Sequence, residues 1–161
     1  MKKNIIVLSI FIIALLGGAL FYHNYLSWKP FRCNTHMTAH ITTKNGNKLT
    51  LNLDIHVVTA QKGNSELILV GSLKELDKDY VISRRMFISI KPSNFKGVAK
   101  TIITQEELRP IDNLPDKLWQ QYVRPDTPGV DFYTESKRLS ENLFFIKGLP
   151  TPYLICALAN D

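Results

Sequence analysis

From Ile5 to Tyr22 the chain carries eighteen residues with one polar side chain, Ser9, and no charge. A helix rises about 1.5 Å per residue, so a run of this length crosses roughly the 30 Å hydrocarbon core of a bilayer. A segment apolar on every face does not suit one side of a soluble core. Lys2 and Lys3 precede it, which puts that end in the cytoplasm by the positive-inside rule. Tyr22, Tyr25 and Trp28 follow, residue types that suit the outer headgroup zone. The expected division is a cytoplasmic stretch over 1–4, a transmembrane helix over 5–25, marked by Ile5, Tyr22 and Trp28, and an exported domain over 26–161. The alternative is a cleaved signal peptide, with Ile5 to Leu16 as its apolar core and Gly17 and Ala19 as the small residues a peptidase needs. The apolar run continues through Leu20, Phe21 and Tyr22 past that site, which favours an uncleaved anchor.

The exported part, about 135 residues, suits one domain with its own core. Without Lys2 and Lys3 it holds 18 basic and 14 acidic residues, so it carries +4 of the formal +6, a mild excess. The basic residues are scattered, and no nucleic-acid-binding face can be drawn from them. The chain has two cysteines, Cys33 and Cys156. In an oxidising compartment such a pair is expected to form a disulfide, the alternative being two unpaired buried thiols. No CxxC spacing surrounds either, so a metal or other cofactor is not expected.

Periodicity then points to β-structure. Met37, Ala39 and Ile41 alternate with His36, Thr38, His40 and Thr42, and Asn45-Gly46 predicts a tight hairpin turn. The clearest strand follows: Leu49, Leu51, Leu53, Ile55 and Val57 face one way, Thr50, Asn52, Asp54 and His56 the other. A third strand runs from Glu66 to Leu73. Its Ile68 and Val70, opposite Leu67 and Leu69, suggest cover on both sides. A long fourth strand places Tyr80, Ile82, Arg84, Met86, Ile88 and Ile90 on one face, and a fifth runs from Val98 to Thr104. At Gln105 the pattern changes. Asp112-Asn113-Leu114-Pro115 reads as a helix start. The short helix from Leu114 to Val123 ends before Pro125. Strands over Val130 to Ser136, Asn142 to Lys147 and Leu149 to Ala157 complete the chain. The expected fold is mainly β (α+β): a strongly bent antiparallel sheet or small barrel with one short helix, behind an N-terminal transmembrane helix.

Convergent catalytic groups are scarce, and no enzyme is expected. His36, His40 and His56 share the polar side of the first hairpin, where solvent-facing residues outweigh a three-histidine metal site. Glu106-Glu107 are adjacent and so do not converge on one atom. Ser83, Ser93 and Ser140 lie in no nucleophile-elbow pattern. Arg84, on an apolar strand face, is either paired inside the fold or returned to solvent by a bulge at Ser83-Arg84-Arg85. The aromatic residues, Trp119 and Tyr122 among them, are mostly core. With Arg84 they are also the candidate surface for a protein partner or a small amphiphilic ligand.

At the carboxyl end, Asn142-Leu143-Phe144-Phe145-Ile146-Lys147-Gly148 followed by Leu149-Pro150-Thr151-Pro152-Tyr153-Leu154-Ile155-Cys156 resembles the terminal signature of the FidL-like family of small enterobacterial membrane proteins. The single amino-terminal helix, Cys33 close after it, the basic strand at Ser83-Arg84-Arg85 and the helix from Leu114 to Val123 agree in order. The plan also resembles the ToxS-type accessory proteins, and the layout is similar to the MyfF/PsaF group of Yersinia fimbrial operons. The resemblance implies a non-enzymatic, single-pass inner-membrane protein with a periplasmic domain. Its implied partner is the periplasmic domain of a membrane-bound winged-helix transcription activator, which it stabilises or modulates so that a fimbrial adhesin is expected to be made. It implies contact with membrane lipid through the helix and none with nucleic acid. The alternatives are a sensor or carrier of small amphiphiles and a fimbrial assembly chaperone.

Overall fold

The computed structural model describes residues 2–26, 31–61, 63–124, 126–148 and 154–158. It divides into two compact units, Met1–Pro30 and Phe31–Asp161. The first unit holds helix α1, Lys2–Leu26. Its described side chains, Val7 and residues 9–22, are exposed. The successive residues Ile10, Phe11, Ile12 and Ile13 all face solvent, as a helix apolar on every side requires. Among the described residues no helix is long and apolar enough to cross a membrane. The side chains of Ile5 and Tyr25, and Trp28 altogether, lie outside the described residues.

The second unit is mainly β. It is a closed antiparallel barrel of eight strands in chain order, β1 to β8, and every strand pairs with the next. These are β1 Phe31–Thr42, β2 Lys48–Gln61, β3 Asn64–Glu75, β4 Lys78–Pro92, β5 Val98–Leu108, β6 Asp131–Ser140, β7 Leu143–Gly148 and β8 Leu154–Leu158. Between β5 and β6 lie α2, Asp116–Leu118, and a π-helical turn, Trp119–Val123. Of the two architectures expected from the sequence, the small barrel is the one formed.

The alternation in β2 sets the wall. Leu49, Leu51 and Leu53 are almost wholly buried, and Ile55 and Val57 nearly so, while Asp54 on the opposite face is exposed. Eight strands enclose a space that side chains can fill. Leu69, Leu73, Ile82, Met86, Ile103, Leu114, Trp119 and Phe132 meet the β2 row there in one core. The β1–β2 hairpin differs from a two-residue Asn-Gly turn. The amide of Gly46 donates to the Thr43 carbonyl and that of Thr43 to Asn47. Gly46 alone of the loop takes positive φ, 82°. This is a three-residue loop whose last residue supplies the left-handed conformation.

Several boundaries depart from expectation. β5 runs on to Leu108, because Gln105, Glu106, Glu107 and Leu108 pair with Phe87, Met86, Arg85 and Arg84. The helix begins at Asp116 rather than Leu114, and most of it is the wider π turn. β6 extends to Ser140. Of the last strand, Leu154–Leu158 is formed, and 149–153 lie outside the described residues. The outer face of β3 is not covered, since Val70 is 43% exposed; a barrel wall has its core on one side only.

β1 meets β8 at Cys33↔Leu158 and Asn34↔Ala157. Across this short seam runs the disulfide Cys33–Cys156, with a Cα–Cα distance of 5.4 Å and both cysteines fully buried. It closes a loop of 123 residues, for which the chain-entropy model gives about 5 kcal/mol as an upper figure.

Candidate functional site

β4 brings Arg84 into the barrel on the row of Ile82 and Met86, and it is 2% exposed. A buried guanidinium demands partners. They come from the chain that follows β5. Arg84 Nε donates to Asp112 Oδ2 at 3.1 Å, and its NH2 donates to Asp112 Oδ1 at 3.0 Å and to the Leu114 carbonyl at 2.8 Å. NH1 donates to Asp116 Oδ1 at 3.1 Å. The Arg84 and Asp112 side chains are each 1% exposed, whereas Asp116 is 73% exposed, so Asp112 is the desolvated partner. Asp112 also accepts the amides of Ser83 and Leu114, at 2.8 and 3.2 Å. Both charges are thus saturated with hydrogen bonds, the condition under which a buried pair is tolerated. The Trp119 ring lies 4.6 Å from the guanidinium carbon, a desolvated cation–π contact.

Of the two alternatives for Arg84, pairing inside the fold is the one formed, and the β4–β5 bulge lies elsewhere. Register slips between Phe87↔Gln105 and Ile88↔Ile103, which leaves Thr104 of β5 as the extra residue. Side chains on a strand alternate, so this one residue switches the inward row from Thr101 and Ile103 to Glu106. Trp119 Nε1 then donates to Glu106 Oε1 at 3.2 Å, and Arg124 approaches the other carboxylate oxygen at 3.7 Å. Glu106 is therefore an internal partner, not a member of a solvated acidic pair; Glu107 remains exposed.

Residues 109–113 continue the edge of β4 as a clip. The Arg109 amide donates to the Ser83 carbonyl at 3.0 Å. Asn113 donates its amide to Val81 O at 3.2 Å and accepts the Val81 amide on its side-chain oxygen at 2.6 Å. The clip is fixed from below by a buried ion pair and from the side by backbone bonds. Ile111 within the clip and Leu108 at the end of β5, opposite Arg84, are 65% and 55% exposed. Of the residues singled out from sequence, Arg84 and Trp119 lie beneath this surface rather than on it, and Tyr122 is half-buried against the core. Leu108, Ile111, Asp112 and Glu106 were missed as site residues. The available signal was an unpaired apolar Leu108-x-x-Ile111 between charged residues.

The three histidines stand on the outer face of the first hairpin. Each meets its cross-strand neighbour: His36 Nδ1 and Asp54 Oδ1 at 2.8 Å, His40 Nδ1 and Thr50 Oγ1 at 3.3 Å, His56 Nδ1 and Asn34 Oδ1 at 2.8 Å. Among the described residues no group of three or more histidine, cysteine or acidic side chains is placed to hold a metal ion. The arrangement leaves Leu108 and Ile111 exposed beside an internally satisfied Arg84–Asp112 pair. No model of a known protein family matches the chain, and no curated protein matches it.

Proposed function

We propose that the chain is a non-enzymatic accessory protein of the bacterial inner membrane. In this reading α1 is a single-pass anchor with a cytoplasmic amino terminus. The barrel is periplasmic and binds the periplasmic domain of a membrane-bound winged-helix transcription activator, stabilising it so that a fimbrial adhesin is expressed. The terminal signature through Cys156 and the order of elements along the chain support the family part of this reading.

The observation that carries it is the clip. Of two exposed apolar side chains, Leu108 is fixed by the β4–β5 ladder and Ile111 adjoins Asp112, which Arg84 holds, so a partner that covers them need not order a loop first. The barrel interior is occupied by core side chains, which favours an outer surface over an internal cargo site. Binding the folded partner stabilises it by mass action, and a shared membrane raises the local concentration of each protein.

The test is co-purification of the full chain with the activator, comparing wild type with Leu108→Asp plus Ile111→Asp. We expect the variant to keep its melting temperature, to lose the activator, and to lower activator abundance to the level of a deletion strain. Normal activator abundance and adhesin transcripts in the deletion strain would sink the proposal. Retained co-purification by the double variant would move the contact off the clip.

A further inference from the structure

The strand register places several features at the opposite end of the barrel from the clip. β1 begins there, with Phe31 paired to Thr59 at the end of β2. β8 ends there, with Leu158 opposite Cys33 and its amide donated to Asn142 in the β6–β7 turn at 2.8 Å. The β4–β5 turn closes the same end, since Pro92 pairs with Ala99 and Val98 with Glu135. Four residues, 27–30, join β1 to the end of α1.

This end exposes Phe95, Leu139 and Leu143, at 63%, 51% and 38%. Phe95 is seated edge-on against Tyr133, with ring centroids 5.7 Å apart. Between the apolar residues stand the exposed cations Lys91, Lys96, Lys137 and Arg138, against the acids Glu135 and Glu141. Arg138 donates to the carbonyls of Ser140 and Glu141, which shapes the turn without neutralising the charge. Lys91 lies directly opposite Lys100 in the ladder, a like-charge pairing that costs stability. Lys100 is satisfied by Asp131 at 2.6 Å, whereas Lys91 and Lys96 reach no carboxylate among the described residues. The clip end also exposes apolar residues, Leu76, Leu108 and Ile111, but its charges are of both signs, Glu75, Asp77, Asp79 and Glu107 beside Lys74, Lys78 and Arg109, with Lys74 paired to Asp79.

We propose that the barrel end formed by residues 91–97 and 137–143 rests on an anionic bilayer surface, with the lysines at the lipid headgroups and Phe95, Leu139 and Leu143 in the interfacial layer. The inference rests on the anchor reading of α1. From Leu26 to Phe31 there are five Cα steps, so the start of β1 lies within about 18 Å of the helix end. Attraction to anionic lipid decays over roughly 8 Å at physiological salt, so a short tether is what makes these cations count. Apolar side chains between cations are the usual composition of a surface that lies on a membrane. A neutral surface would leave Lys91 and Lys96 without a counter-charge.

The experiment is hydrogen–deuterium exchange on the full chain reconstituted in vesicles of phosphatidylcholine alone or mixed with phosphatidylglycerol. With phosphatidylglycerol, amides over 94–97 and 139–142 are expected to slow by at least about fivefold, the contribution of a single cation near an anionic surface. Lys91→Glu plus Lys96→Glu should abolish that slowing, and so should about 0.5 M salt, where screening is within a few ångströms. Amides over 44–47 and 76–77, at the other end, should not change. If the chain floats with both kinds of vesicle but exchanges identically in them, the surface contact is refuted and the anchor stands. Protection appearing at 44–47 and 76–77 instead also refutes it. If the chain floats with neither, the anchor fails and takes the surface contact with it.

Discussion

Asp112→Ala should be among the most damaging single changes to the barrel, although Asp112 belongs to no strand. It removes two of the four hydrogen bonds from the Arg84 guanidinium and strands the amides of Ser83 and Leu114. Both partners are 1% exposed, so water cannot replace the lost acceptor without opening the fold. Breaking a buried pair from one side costs about 3–5 kcal/mol. For a unit of this size each kcal/mol lowers the melting temperature by roughly 3–5 °C, so a fall of about 10–20 °C is expected. Arg84→Met leaves the Asp112 charge buried and should cost a similar amount. Arg84→Met combined with Asp112→Asn removes both charges yet keeps a side-chain oxygen for the Ser83 amide. The double variant should therefore be more stable than either parent, with a coupling energy of about 2 kcal/mol or more, at the upper part of the range for contacting residues. Urea unfolding of all four proteins measures the cycle. Single changes that each cost less than about 1 kcal/mol and add in the double would place the pair with exposed salt bridges and refute the reasoning.

Reduction of Cys33–Cys156 should lower stability by about 2–5 kcal/mol, read as a shift of the urea midpoint with and without reductant; equal midpoints would remove the bridge from the stability of the fold. Gly71 stands opposite Leu53, and a Cβ there would strike the backbone carbonyl of Asn52. Gly71→Ala should therefore destabilise by about 1–3 kcal/mol as an overpacking change, whereas Gly97→Ala, open on all sides but at positive φ, measures the cost of backbone strain alone. The Asp131 carboxylate, first by hydrogen bond and then by charge, holds the Lys100 pKa above the ordinary lysine value. A lysine raised in the folded state contributes its stability below the unfolded pKa and loses it as pH rises through the folded one. The barrel should lose this contribution only above about pH 10.4, and Lys100→Met should flatten that alkaline limb of the stability profile.

The strand plan was legible because β2 obeys a two-residue period without exception from Leu49 to Val57, and its neighbours follow it in order. Closure was less so. Whether a bent sheet joins its edges depends on the two pairs Cys33↔Leu158 and Asn34↔Ala157, and two pairs leave no periodic trace; the cysteine pair was the surviving clue. Arg84 announced itself as a charge in an apolar row. Its partners lie 28 and 32 residues further on, in a stretch that reads locally as a helix cap, so their destination was hidden. The Thr104 bulge was invisible for a different reason. It changes which of two adjacent glutamates faces inward without changing the strand's composition. Gly71, by contrast, was readable: a glycine within a strand pattern marks a close backbone approach.

The two ends of the barrel are secured by different chemistry, and this makes their roles separable. Near the tether, the short β1–β8 seam is closed by a covalent bridge. At the clip, the chain is held by an ion pair without any disulfide among the described residues. Local openings follow the weakest set of contacts in each region rather than the average. Reductant should therefore speed amide exchange first in β1 and β8, with the 109–113 clip following only as the whole barrel loosens. Asp112→Ala should do the reverse, freeing 109–124 while Cys33, Asn34, Ala157 and Leu158 stay protected. On the reading proposed above, with a membrane contact at one end and a partner at the other, this separation is useful, because a disturbance at one surface is not passed directly to the other. Simultaneous loss of protection at both ends under either treatment would show that the barrel opens as one unit, and the two surfaces could then not act independently.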